Sequence, residues 1–140
     1  MRTRIVPFIA ALGVLALGST SSAAPLSQTP AEKAKVEVDS VGLHPGMEPG
    51  MYVCAADHLH IKGTVQNLTA TNLGRVKVGA KAFDAEGNLL GTATGSTKAS
   101  VLPPGGRGEI NVEFLTVTGG MIDKVKRHEL TVLDAPAKSR

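Results

Sequence analysis

Between Leu59 and Thr94 apolar and polar positions alternate with the period of a half-buried β-strand. Leu59, Ile61, Gly63 and Val65 fall on one side, and His58, His60, Lys62, Thr64 and Gln66 on the other. A second run repeats the division with smaller residues, setting Val76, Val78, Ala80 and Ala82 against Arg75, Lys77, Gly79 and Lys81. The pattern predicts that these two strands pair, each with one wet face. Asp84-Ala85-Glu86-Gly87-Asn88 then supplies an acidic opener and a glycine free to take positive φ. That is the chemistry of a tight reversal into a third strand over Leu89–Thr94.

The same reading extends along the chain. Val36 and Val38 alternate with Lys35, Glu37 and Asp39 in a first strand over Lys35–Val41, and the repeated Pro-Gly steps between His44 and Met51 force a loop. Tyr52–Ala55 is a short extended piece. Asn67–Gly74 is a polar connection, and Val101–Gly108 is a loop and turn. In Glu109–Val117, Ile110, Val112 and Phe114 face one way and Asn111 and Glu113 the other. Met121–Arg127 is charged and without period, and Leu130 and Val132 mark a last strand ending before Pro136. No stretch sustains the 3.6-residue period of an amphipathic helix, so an all-β sandwich is expected.

The first residues change the meaning of the composition. Arg2 and Arg4 precede an apolar run from Ile5 to Leu17, and Ser21-Ser22-Ala23 offers small residues for cleavage. This is the build of a signal peptide, and the run is shorter than the roughly 20 residues of a spanning helix. Cleavage after Ala23 is favoured because cleavage after Ala24 would leave Pro25 at the terminus. The expected organisation is a signal peptide over 1–23, a flexible linker over 24–35, a sandwich over 36–134 and a disordered tail over 135–140. The mature protein is then periplasmic or secreted, with no transmembrane segment. Losing Arg2 and Arg4 from 15 basic residues, against 12 acidic ones, lowers the formal charge from +3 to about +1. Lysines spread singly along strands at that charge leave no footprint for nucleic acid. The single cysteine, Cys54, cannot form an internal disulfide, so the core must hold by packing of Val, Ile, Leu and Ala.

Four segments together carry a family resemblance: Ile61-Lys62-Gly63-Thr64-Val65-Gln66-Asn67, Val76-Lys77-Val78, Phe83-Asp84-Ala85-Glu86-Gly87-Asn88-Leu89-Leu90-Gly91, and Leu102-Pro103-Pro104-Gly105. In this order they resemble the FxLYD domain over roughly Val36 to Leu133. Phe83-Asp84 takes the place of the family's final aromatic and aspartate, whereas Ala80 and Ala82 stand where the family has a phenylalanine and a leucine. The resemblance implies an immunoglobulin/fibronectin-like antiparallel β-sandwich of bacterial or archaeal extracytoplasmic proteins. It implies no catalytic residues.

Searches for reaction chemistry end without a nucleophile. There is no G-x-S-x-G elbow and no S-x-x-K. The Gly-rich Pro104–Gly108 leads into a strand, whereas phosphate loops lead into a helix. Cys54 lies four residues before His58 with no orienting third group, and Asn67-Leu68-Thr69 is a chance match to a glycosylation acceptor. One local excess remains. His44, Met47, Met51, Cys54, His58 and His60 include three of the four histidines and the only cysteine. Thioether, thiolate and imidazole suit Cu(I), and His58 and His60 share a strand face. The alternative is that the histidines are polar-face residues and the methionines pack a loop. His128 stands apart as a solvated residue. The sequence therefore predicts an exported, non-catalytic module without a cofactor that binds a protein or cell-envelope partner, in the manner of a scaffold or adhesin. The second expectation is a small copper-binding protein using residues 44–60.

Overall fold

A computed structural model of the chain describes residues 26–40 and 47–139; the segment read as a signal peptide and His44 lie outside them. The alternating segments become strands β1 (Ala34–Val38), β2 (Met51–Val53), β3 (His58–Asn67), β4 (Lys77–Phe83), β5 (Leu89–Ser96), β6 (Arg107–Thr118) and β7 (Arg127–Asp134), after one helical turn α1 (Pro30–Lys33). They form two antiparallel sheets. In the first, β6 lies along one edge of β3, and β1 and β2 share the other. In the second the order is β5-β4-β7. The architecture is the expected all-β sandwich.

The expected pairing of β3 with β4 is corrected: they lie in different sheets. Asn67 and Leu73 supply the reason. The Asn67 side chain is 1% exposed. Its Nδ2 donates to the carbonyls of Thr71 (2.8 Å) and Leu102 (2.9 Å), and its Oδ1 accepts from Thr69 N (2.8 Å) and Oγ1 (2.7 Å). Its backbone closes onto the Pro-Gly turn, with Gly105 N reaching Asn67 O (3.0 Å) and Asn67 N reaching Gly106 O (2.9 Å). Leu73 then bridges to both Leu102 and Ala137. The connection after β3 is thereby fastened as a crossover, and the alternation of β4 is satisfied by β5 and β7 instead. Every hydrogen-bonding atom of the Asn67 amide is used inside the fold, so this asparagine is structural.

Between the sheets, Leu59, Ile61, Val65, Val112 and Phe114 meet Val78, Ala80 and Ala82, all buried. The small residues of β4 stand beside an equally small row in β5, with Val78 opposite Gly95, Ala80 opposite Ala93 and Ala82 opposite Gly91. A Cβ added at Gly91 would come 2.6 Å from Val117 Cγ2, and one at Gly95 would come 2.9 Å from Asn111 O. These glycines let β5 press directly onto β6, and just beyond the end of β5 Lys98 N bonds Glu109 O at 3.0 Å. Close approach replaces bulk along that side, and Phe114 is the largest fully buried side chain.

The predicted hairpin between β4 and β5 is present: Asp84 N bonds Asn88 O at 3.0 Å, and Gly87 takes φ +83°. The Asp84 carboxylate accepts from Glu86 N, Asn88 N and Asn88 Nδ2. The Asn88 side-chain bond, helped by the turn amides, holds the Asp84 carboxyl below its usual value.

Both ends of the domain are better built than expected. Within the supposed linker, Thr29 N and Oγ1 donate to Glu32 Oε2 at 2.6 and 2.9 Å, and Pro30 opens α1, a local start signal of the capping-box kind. In the supposed tail Ala135 is buried, Gly74 N donates to Pro136 O at 2.7 Å and Lys138 N to Asn72 O at 2.9 Å. The aperiodic Met121–Arg127 region overlaps a 3₁₀ turn over Gly119–Lys124 that buries Ile122. Among the described residues no helix is long and apolar enough to cross a membrane.

Candidate metal site on the outer face of the first sheet

Three strands place one side chain each in a single row. Tyr52 of β2 is opposite His60 of β3, which is opposite Glu113 of β6, all on the face turned away from the core. Cys54 follows Tyr52 by two positions and so continues on that face. The β2–β3 hairpin holds it there: Cys54 N bonds His58 O at 3.1 Å, Asp57 N bonds Cys54 O at 2.9 Å, and Asp57 takes φ 60°, which a short polar residue tolerates.

Cys54, His60 and Glu113 each offer a ligand atom, and these atoms all lie within 4.8 Å of one another. Around a tetrahedral ion with bonds of about 2.0–2.3 Å, donors stand roughly 3.5 Å apart. Rotation of the Cys54 and Glu113 side chains would have to close that difference.

His60 is held by its surroundings. Its ring stacks on Tyr52 with centroids 4.7 Å apart, and its Nδ1 lies 2.9 Å from Asn111 Oδ1, while Asn111 Nδ2 donates to the Tyr52 hydroxyl at 2.5 Å. The tautomer that suits this carbonyl partner carries its proton on Nδ1 and leaves Nε2 as the ring's acceptor. The residue is only 9% exposed, and this buried Nε2 has no hydrogen-bond partner among the described residues. A buried acceptor without a partner costs on the order of 1–3 kcal/mol, which a bound cation would offset. The fixed ring and fixed tautomer are what an imidazole ligand receives from its outer partners. Glu113 Oε1 lies 3.6 Å from this Nε2 and accepts from His58 Nδ1 at 2.9 Å. The Lys62 ammonium sits 5.2 Å over the other partner of the stack, Tyr52.

The residues singled out in the sequence part company here. Cys54 and His60 come together. His58 lies on the flank, engaged with Glu113. Met51 does not join them: it is 1% exposed inside the core, because the residue before Tyr52 must face the other way. Met47 packs partly buried against that core. His128 is separate, with Nε2 3.0 Å from Pro49 O. Glu113 was missed as a ligand. Its outward direction is legible in the alternation of β6, but its place opposite His60 depends on a pairing across more than fifty residues of chain.

Among the described residues the donor set is thus one cysteine sulfur, one imidazole and one carboxylate. Losing the thioethers and gaining a carboxylate moves the preference away from Cu(I) toward borderline divalent ions such as Zn²⁺ or Co²⁺. Comparison with protein-family profiles, curated proteins and solved structures finds no match to the chain.

Proposed function

We propose that the protein is an exported, non-catalytic β-sandwich that binds a divalent metal ion of the zinc class through Cys54, His60 and Glu113. One observation carries this reading: the buried Nε2 of His60, without a partner among the described residues and with its other nitrogen fixed by Asn111, belongs to a cluster with a thiol and a carboxylate. The leader-like first residues and the resemblance to FxLYD domains support an extracytoplasmic setting. The test is a titration of the reduced protein with Zn²⁺ against a competing chromophoric chelator, with Cys54→Ser and His60→Gln alongside. One tight equivalent, weakened at least tenfold by each substitution, is expected. Binding no tighter than that of both variants would leave the site without an ion.

A second reading, a scaffold that docks a protein or envelope component, draws on the opposite side of the molecule. There Leu133 is 47% exposed and lies across Gly79, in a shallow apolar hollow bordered by Thr92, Thr94 and Thr131. Leu133→Lys would abolish capture of such a partner and leave Zn²⁺ binding intact.

A further inference from the structure

Three protein donors leave a tetrahedral ion one position short, and among the described residues the imidazole beside this set is His58. Alternation alone would set His58 in the next row beyond His60, facing the site. A register shift interrupts the pairing there: Leu59 pairs with Phe114, but His58 pairs with Thr118, so extra residues of β6 lie opposite this step. Beside this β6 bulge His58 engages the carboxylate, its Nδ1 donating to Glu113 Oε1 at 2.9 Å. His58 is not part of the converging set formed by Cys54, His60 and Glu113. A ligating carboxylate needs an outer hydrogen bond to hold its direction, and His58 provides one.

The remaining side of the site faces solvent. Cys54 is half-buried and the Glu113 side chain is 44% exposed. The hydrophobic core lies on the opposite face of the same sheet, so an ion here closes no core. Sites that stabilise a fold are filled by four protein donors, whereas sites that work on something external keep a position free.

We infer, resting on the metal reading above, that the ion is held by Cys54, His60 and Glu113 with its fourth position open to a small exogenous donor, and that His58 orients Glu113 and does not fill that position. Water occupies the position at rest, and a small anionic, thiol or imidazole donor displaces it. The ligand class of the protein is therefore metal plus a small Lewis base. His58 is a positioning residue.

Co²⁺ serves as the probe, because its visible bands report coordination and its near-ultraviolet band reports bonding to sulfur. The reduced protein is titrated with Co²⁺, and azide is then added to the saturated complex; His58→Ala and His58→Gln are treated in the same way, with circular dichroism to confirm their fold. The inference predicts a sulfur band lost in Cys54→Ser and visible bands that shift with azide. It predicts that His58→Ala lowers Co²⁺ affinity by about 10- to 100-fold. At saturation this variant keeps the wild-type bands and the azide response, and His58→Gln, which still offers an N–H, recovers most of the affinity. Wild-type bands indifferent to azide, with His58→Ala altering them at saturation, would show His58 as the fourth ligand and overturn the inference while leaving the metal reading standing. Absence of any Cys54-dependent band would overturn both.

Discussion

His60 and Glu113 face each other across β3 and β6, their Nε2 and Oε1 atoms 3.6 Å apart, and no hydrogen bond joins them. In the neutral ring with Nδ1 committed to Asn111, the two facing atoms are both acceptors. Two acceptors at this distance repel unless a proton or a cation stands between or beside them. The Cys54 sulfur is a third potential ligand atom in the same space.

The first prediction separates this donor set from the methionine-rich one expected from the sequence. Glu113→Gln should weaken Zn²⁺ binding at least tenfold, while Met51→Leu should leave it unchanged. Because Met51 is in the core, the leucine should cost under about 1.5 kcal/mol of stability, whereas Met51→Ala should cost about 2–5 kcal/mol. Chelator competition and urea unfolding report the two properties separately. Lost binding in Met51→Leu would return the thioether to the site.

Asn67 provides a second test. Asn67→Ala removes an amide that satisfies two carbonyls and two donors around the crossover, and should destabilise the domain by several kcal/mol, at about 1–3 kcal/mol for each buried group left unpaired. The same burial closes the acceptor to glycosyl transfer. Intact mass after expression in a glycosylating host should show no glycan at Asn67; occupancy there would contradict its burial.

The facing of β4 gives a third prediction. Val78 is buried between the sheets and Lys77 is exposed. Val78→Asp should unfold the protein, since an uncompensated buried charge costs several kcal/mol against a total stability of about 5–15 kcal/mol. Lys77→Asp should shift the midpoint little, and equal damage from both would mean that the strand is turned over.

Acid sensitivity should include a term from the β4–β5 turn. The folded Asp84 carboxyl lies below its ordinary value of 3.8, chiefly through the Asn88 side chain. A group depressed on folding contributes stability that is fully present above the unfolded value and is lost as pH falls through the folded one. Asp84→Asn keeps an acceptor in the turn and removes the titration. Its melting temperature should therefore fall less steeply than the wild type's below pH 4, by a small margin because the carboxylate is exposed. Identical acid slopes would show that the turn bonds do not favour the charged form.

The strands were legible in the sequence because alternation is a local property. Leu59, Ile61 and Val65, and Ile110, Val112 and Phe114, announce their buried faces within a few residues. Which strand lies beside which is not local. The partner of β3 is chosen by the crossover that Asn67 and Leu73 fasten, and four hydrogen bonds to one buried amide leave little trace in a hydropathy pattern. The site divides in the same way. Cys54 and His60 stand out by residue type on one hairpin, but Glu113 is one outward acid among several until β6 is laid against β3. The exclusion of Met51 could have been read from strand parity, since it precedes Tyr52 by one position and Cys54 by three. The bulge at His58 could not, because it arises from the way β6 passes the start of β3. The docked end of the chain was hidden for a similar reason: Ala135 and Pro136 look like a fraying tail until their contacts with the crossover are seen.

The most direct measurement is long-range nitrogen–proton NMR of the histidine rings, recorded before and after one equivalent of Zn²⁺. The free protein should show a proton on His60 Nδ1, the nitrogen that faces Asn111. With zinc, His60 Nε2 alone among the ring nitrogens should move to the shift of a metal-bound nitrogen, while Nδ1 keeps its proton and its bond to Asn111. A His60 ring whose nitrogens do not respond to zinc, or a response carried by His44, His58 or His128 instead, would contradict the site.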